Sequence, residues 1–107
     1  MKSIAYLALA AALSAPAFGA DNTAALTLKN HVFTPTEVHV KAGVATTVTL
    51  TNDDEETEEF DSTSLKIEKI VRGHSTGMMR WRPLAPGRYP FMGERHSETA
   101  QGVVIAE

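Results

Sequence analysis

The chain has 107 residues, a formal net charge of −3 and no cysteine. Its mild acidity and the absence of a basic stripe argue against nucleic acid as a partner, since phosphate contacts need clustered lysine and arginine. Without cysteine the protein can form neither a disulfide, nor an iron–sulfur cluster, nor a thiolate-ligated blue-copper site.

Residues 1–20 have the pattern of a secretory signal peptide. Lys2 gives a positive start, residues 4–13 are apolar, and the small residues that follow allow cleavage somewhere within 17–20. The apolar run is too short for a membrane span. We therefore expect one domain, residues 21–107, that is exported to the periplasm and is not embedded in the membrane.

The first half of this domain predicts short strands separated by turns. Apolar and polar residues alternate in 25–29, 37–41 and 45–52, as in half-buried strands. The segment 64–70 is compatible with a strand or with a single helical turn.

The second half continues in the same way. A strand is predicted from residue 75 to Pro83, another after the Pro86–Gly87 turn, and a last one over 102–107. Strands about every ten residues, with no amphipathic helix, predict an antiparallel sandwich or barrel. We expect an all-β, Greek-key β-sandwich of two packed sheets.

An acidic run covers residues 53–61. Such a run is typical of a solvated loop, and the alternative is a patch that attracts cations. Glu59 and Asp61 are two residues apart, so on a strand they share one face while Phe60 points into the core. Two carboxylates on one face repel each other unless a cation or a proton lies between them.

The segment 89–102 places several metal-ligand residue types close together. Glu94, His96 and Glu98 alternate, so an extended loop would project them to one side. Imidazole binds copper and ferrous iron, whereas the thioether of Met92 favours Cu(I). The alternative is an ordinary buried methionine beside a surface histidine.

A second group, His74 with Met78 and Met79, is also compatible with copper binding. Strand alternation predicts that Met79 is in the core and Met78 on the surface, which favours a structural role. His31 and His39 are interpreted as structural or surface residues.

Two stretches resemble the ends of a cupredoxin domain. Residues 26–53 contain an F-x-P bend and a V-x-V-x-A-G strand, followed by a strand that ends in Asn52. Residues 83–107 contain an L-x-P-G-x-Y-x-F strand, a loop with a histidine, and a final strand that begins with glycine. Together the two stretches span most of residues 21–107.

Within that superfamily the chain resembles the cupredoxin-like domains of bacterial periplasmic iron-uptake systems, of the EfeO type or the stand-alone type that accompanies Ftr permeases. Acidic residues within 58–62 replace the first histidine ligand, and Phe33 falls where some members have a further cysteine. The resemblance implies a copper and/or iron ion held by the acidic pair Glu59 and Asp61 together with loop residues. The loop residues are Met92, at the usual cysteine position, and His96, to which we add Glu94 from its place in the loop.

The function implied is assistance to ferrous or ferric iron uptake, by iron oxidation or by hand-over to a membrane iron permease or another periplasmic uptake component. The alternatives are a copper carrier or resistance protein and a metal-free interaction module. No hydrolase motif such as G-x-S-x-G or H-E-x-x-H occurs, so an iron oxidase role is the enzymatic activity under consideration.

Overall fold

A computed structural model describes residues 21–107, so the expected signal peptide and its cleavage site lie outside the described residues. The described chain contains nine strands and one short 3-10 helix, Glu94–His96. The strands are β1 Asn22–Lys29, β2 Val32–Thr34, β3 Glu37–Val40, β4 Thr46–Asn52, β5 Glu58–Ser62, β6 Ile67–Val71, β7 Ser75–Trp81, β8 Gly87–Gly93 and β9 Gln101–Ala106.

The strands form two sheets, with orders β2-β1-β4-β7 and β3-β9-β8-β5-β6. The predicted all-β sandwich is confirmed. The expectation that every strand pair is antiparallel is wrong, because β1 pairs with β4 and β3 pairs with β9 in parallel. The chain crosses from one sheet to the other between β2 and β3, and such crossovers allow strands to return in parallel.

The core lies between the sheets and follows the strand alternation. In β4 the buried residues alternate with half-buried ones along the whole strand, as predicted. Four aromatic side chains occupy the centre, with ring centroids 4.9 to 6.5 Å apart in stacked, tilted and edge-to-face arrangements: Phe33, Phe60, Trp81 and Phe91. Such pairs add to the stability gained from burial alone.

The acidic run is only partly a solvated loop. Its second part belongs to β5, in which the side chains of Glu58, Phe60 and Ser62 point inward and are buried. Segment 67–71 is a strand rather than a helical turn, and it pairs with β5 along its whole length.

The buried side chain of Asn52 shapes the loop between β4 and β5. Its amide nitrogen donates to the carbonyl oxygens of Glu56 and Val71, at 2.8 and 3.1 Å. Its oxygen accepts a hydrogen bond of 2.9 Å from the backbone N–H of Asp54. One buried amide thus fixes the loop that brings Asp54 and Glu56 to one end of the sandwich.

The end of β8 passes very close to β5 at Gly93. A Cβ atom at this residue would lie 2.7 Å from Cδ of Glu58 and 2.8 Å from Cβ of Ala100. Only glycine therefore fits there, and its lack of a side chain leaves room for a buried carboxyl group.

Candidate metal centre

Two histidines from different sheets meet at one end of the sandwich. The rings of His31 and His96 are stacked, with centroids 3.6 Å apart and planes inclined by 9°. His31 lies in the β1–β2 turn, where Asn30 and His31 adopt left-handed conformations with φ of 53° and 59°. His96 ends the 3-10 helix between β8 and β9.

The side chain of Glu56, from the β4–β5 loop, reaches both rings. Its Oε1 lies 3.3 Å from Nε2 of His31 and 3.4 Å from Nε2 of His96. One ligand atom from each of these three residues falls within 4.8 Å of the others, as in a metal site. The Glu56 side chain is 66% exposed, so this cluster opens to solvent.

Glu58 holds the His96 ring from the protein interior. Its side chain is 1% exposed, and its Oε2 lies 2.6 Å from Nδ1 of His96. Its Oε1 accepts hydrogen bonds from the backbone N–H groups of Glu59 and Arg95, at 3.0 and 2.8 Å. The hydrogen bond to Glu58, with a smaller contribution from Glu56, raises the pKa of His96 above the usual 6.5.

Asp54 holds the turn that carries His31. Its two oxygens accept backbone N–H bonds from Asn30 and His31, at 2.7 and 2.9 Å. Partial burial opposes the charged form, but these two bonds prevail and lower the pKa of Asp54 below 3.8. Nδ1 of His31 is 3.3 Å from Asp54 Oδ2, yet it is buried without an aligned hydrogen bond.

This donor set fits a first-row transition metal with nitrogen and oxygen ligands. Two imidazoles and one carboxylate form a recognised set for iron, copper and zinc. The carboxylate of Glu58 at Nδ1 of His96 matches the usual support for a metal-bound histidine, whereas Asp54 lies close to Nδ1 of His31 without an aligned hydrogen bond. A metal bound to both rings would tilt them, because the nitrogen lone pairs of parallel rings do not converge. A blue-copper thiolate site does not fit, since the chain has no cysteine.

The acidic residues predicted as ligands lie elsewhere, on the outer face of the five-stranded sheet. Glu59, Asp61 and Glu94 bring one oxygen each to within 4.8 Å, and Phe60 points into the core as predicted. Met92, 43% exposed, is paired across the strands with Asp61. A hydrogen bond with Asp61, and repulsion by neighbouring acids, raises the pKa of Glu59 to about 7.

The single site expected from the sequence is therefore divided into two groups of donors. His96 belongs to the cluster with His31 and Glu56, whereas Glu94 belongs to the outer acidic group. The expectation of an extended loop is wrong, because residues 94–96 form a 3-10 helix. The His96 carbonyl accepts from the N–H groups of Thr99 and Ala100, at 3.1 and 2.8 Å, and so closes the loop.

Within residues 21–107, the remaining histidines, His39 and His74, belong to neither of these two groups. Met79 is 9% exposed and Met78 is 62% exposed, as the strand alternation predicts. His74 lies in a turn with a φ of 52°. His39 bridges Glu37 and Glu107, at 2.9 and 2.8 Å, which raises its pKa, chiefly through the Glu107 hydrogen bond.

Three shifted groups make the stability of the metal-free protein fall as the pH rises through the neutral range. The pKa of Glu59 is raised from 4.5 to about 7, and the pKa values of His39 and His96 are raised above 6.5. Each of these groups binds a proton more tightly in the folded chain than in the unfolded chain. Its contribution to the free energy of unfolding is therefore complete at low pH and is lost as the pH rises through the pKa of the folded state. Urea unfolding between about pH 5 and 8 measures this trend.

Glu59→Gln and His39→Gln provide the checks, because each removes one titrating group. Each variant is expected to have a flatter dependence of the unfolding free energy on pH than the wild type. An unfolding free energy that rises steadily over this range would contradict the prediction.

Three residues of the histidine cluster were absent from the sequence-based site: His31, Glu56 and Glu58. The signal for Glu58 was available, because alternation through Phe60 and Ser62 places its carboxyl group on the core side of β5. No sequence pattern around His31 indicates a metal ligand, since the histidine that stacks on its ring, His96, is remote in the sequence.

Solved cupredoxin structures have the same fold. Auracyanin A, a "blue" copper protein from Chloroflexus aurantiacus, aligns with a TM-score of 0.70 and 14% identity, over 82% of this chain and 100% of that one. Amicyanin from Paracoccus versutus aligns with a TM-score of 0.62 and 17% identity, over 85% and 87% of the two chains. A purple cupredoxin from Nitrosopumilus maritimus gives 0.62 and 17%, over 78% and 99%.

Among residues 21–107, no helix is long and apolar enough to cross a membrane. An uncharacterized protein of Rickettsia prowazekii is 39% identical over 80 residues, which are 75% of this chain and 64% of that protein. The chain thus spans less than two thirds of that relative's length. The model of the cupredoxin-like domain matches residues 2–106. The chain belongs to the cupredoxin-like domain family.

Proposed function

We propose that this protein binds a transition-metal ion through His31, Glu56 and His96. The proposal rests on two short distances: Nε2 of His31 and Nε2 of His96 lie 3.3 and 3.4 Å from Oε1 of Glu56. The hydrogen bond from Nδ1–H of His96 to Glu58 leaves Nε2 of the neutral ring free to bind metal. The solvent-exposed Glu56 is the ligand that can open and close the site.

The donors favour Cu(II) or iron over Cu(I). Nitrogen and carboxylate oxygen suit those ions, whereas a thioether suits Cu(I). Met92 is paired with Asp61 on the outer sheet face. A copper or iron ion held at this site would supply a one-electron couple.

We further propose that the protein works in the periplasm and assists iron uptake, by handing metal to a membrane permease or another uptake component. The signal-peptide pattern of residues 1–20 and the resemblance to iron-uptake cupredoxins support this location and role. The exposure of Glu56 supports transfer rather than storage, because a metal with one solvent-exposed ligand can leave quickly. Auracyanin A, of the same fold, is a copper protein, which supports copper as the alternative cargo.

Calorimetric titration with Cu(II), and with Fe(II) under anaerobic conditions, tests the site. His31→Ala and His96→Ala are each expected to weaken binding by about 100-fold or more, because each removes one of three ligands. The double variant Glu59→Gln, Asp61→Asn is the matched control and should bind like the wild type.

The opposite pattern would overturn the assignment. If the double variant loses binding and both histidine variants keep it, the metal binds at the outer acidic group beside Met92. Thermal unfolding of each variant with and without metal gives an independent readout, since an ion that binds only the folded chain raises its stability.

A further inference from the structure

A surface cavity adjoins the proposed metal position. It has a volume of about 400 Å³ and is lined by His31, Arg95, His96, Ser97, Glu98 and Thr99. Both stacked histidines belong to its wall, whereas Glu56 does not. A metal held by the two rings and Glu56 would therefore lie at the edge of the cavity, next to a molecule bound there. The hydroxyl group of Ser97 offers a hydrogen-bond donor on the same wall, whereas that of Thr99 donates to the carbonyl oxygen of His96, at 3.4 Å.

Arg95 is fixed at its backbone and uncommitted at its side chain. Its N–H donates to the buried Glu58, at 2.8 Å, which places the residue at the rim of the cavity. Within residues 21–107, no carboxylate lies within 4.0 Å of its guanidinium. A guanidinium presents a fork of N–H donors that matches the geometry of a carboxylate.

The protein offers three donors to the metal, fewer than copper or iron usually takes. We propose that the cavity binds a small carboxylate anion, which contacts the metal on one side and Arg95 on the other. This inference rests on the proposed function, and it adds a co-ligand to that site. The metal would then be carried as a ternary complex of protein, ion and organic acid.

The charges at the site make anion binding depend on the metal. Asp54, Glu56 and Glu58 surround the two rings, and Glu98 lines the cavity, so without a cation an anion is repelled. A divalent or trivalent ion offsets much of this negative charge and presents a positive centre to the anion. By thermodynamic linkage, the anion must then tighten metal binding by the same factor by which the metal tightens anion binding.

The experiment uses Cu(II) as the metal and azide and acetate as the anions. Protein saturated with Cu(II) is titrated with azide, whose charge-transfer absorption on Cu(II) reports binding, and acetate is then used to displace it. The wild type is expected to show saturable azide binding that acetate competes away. Arg95→Gln should weaken both anions by about tenfold without changing the affinity for Cu(II), because it removes one charge-assisted contact.

Arg88→Gln is the matched control, because Arg88 is also an exposed arginine but lies on β8, away from the cavity lining. It should leave anion and metal affinities unchanged. Equal anion affinities in wild type and Arg95→Gln, or no saturable anion binding to the copper-loaded wild type, would overturn the inference while the metal site stands. Absence of Cu(II) binding to the wild type would overturn the proposed function and this inference together.

Discussion

Replacing Glu58 with glutamine is expected to weaken metal binding by about 10- to 100-fold while leaving the fold intact. In the wild type, the carboxylate accepts the Nδ1 proton of His96, so Nε2 keeps its lone pair for the metal. A glutamine amide would instead donate to Nδ1 and move the ring proton to Nε2. The glutamine oxygen still accepts the two backbone N–H bonds, so the unfolding free energy should change little.

Calorimetry with Cu(II) measures the affinity, and nitrogen NMR of the His96 ring measures the tautomer. Glu59→Gln, at the adjacent position on the outer face of the same strand, is the control and should keep wild-type affinity. A Glu58→Gln protein that binds Cu(II) as tightly as the wild type would show that the ring orientation set by Glu58 is unimportant for binding.

Replacing Phe60 with alanine is expected to cost about 3–5 kcal/mol of stability. Phe60 is fully buried and stacks on Phe91, with ring centroids 4.9 Å apart. It also contacts Phe33 and Trp81, which belong to the opposite sheet. Since domains of this size are usually stable by only about 5–15 kcal/mol, the variant should be close to unfolding at room temperature.

Urea unfolding followed by Trp81 fluorescence measures the loss. Ile70→Ala is the control, because Ile70 lies on the adjacent strand β6 but is 57% exposed. Its effect should stay within about 0.5 kcal/mol. A Phe60→Ala protein that unfolds at the same urea concentration as Ile70→Ala would show that the aromatic cluster is not the centre of the core.

The sandwich could be predicted because its signals are local. Alternation in β4, and the Pro86–Gly87 pair at the start of β8, indicate where strands begin and end. The opposite orientations of Met78 and Met79 follow from the same two-residue period. The pairing of β1 with β4 in parallel could not be predicted, because it depends on where the chain crosses between sheets and not on any single segment.

The candidate site was predicted only in part, for a related reason. His96 is predicted as a metal ligand from the sequence and lies in the histidine cluster, but its neighbours there come from loops far away in sequence. Glu58 was overlooked because carboxylates are usually exposed, and here burial is offset by three hydrogen bonds. Glu59 and Asp61 share a face that points away from the core, as predicted.

The position of β9 has a consequence for when this protein can fold. β9 lies between β3 and β8, and its pairing with β3 joins segments from opposite ends of the domain. Neither neighbour can complete its hydrogen bonds until the chain up to Ala106 has been made. Such long-range pairing slows folding, so the nascent polypeptide lacks the complete five-stranded sheet during most of its synthesis. That delay would suit the export proposed above, in which the chain is threaded through a translocation channel before it folds.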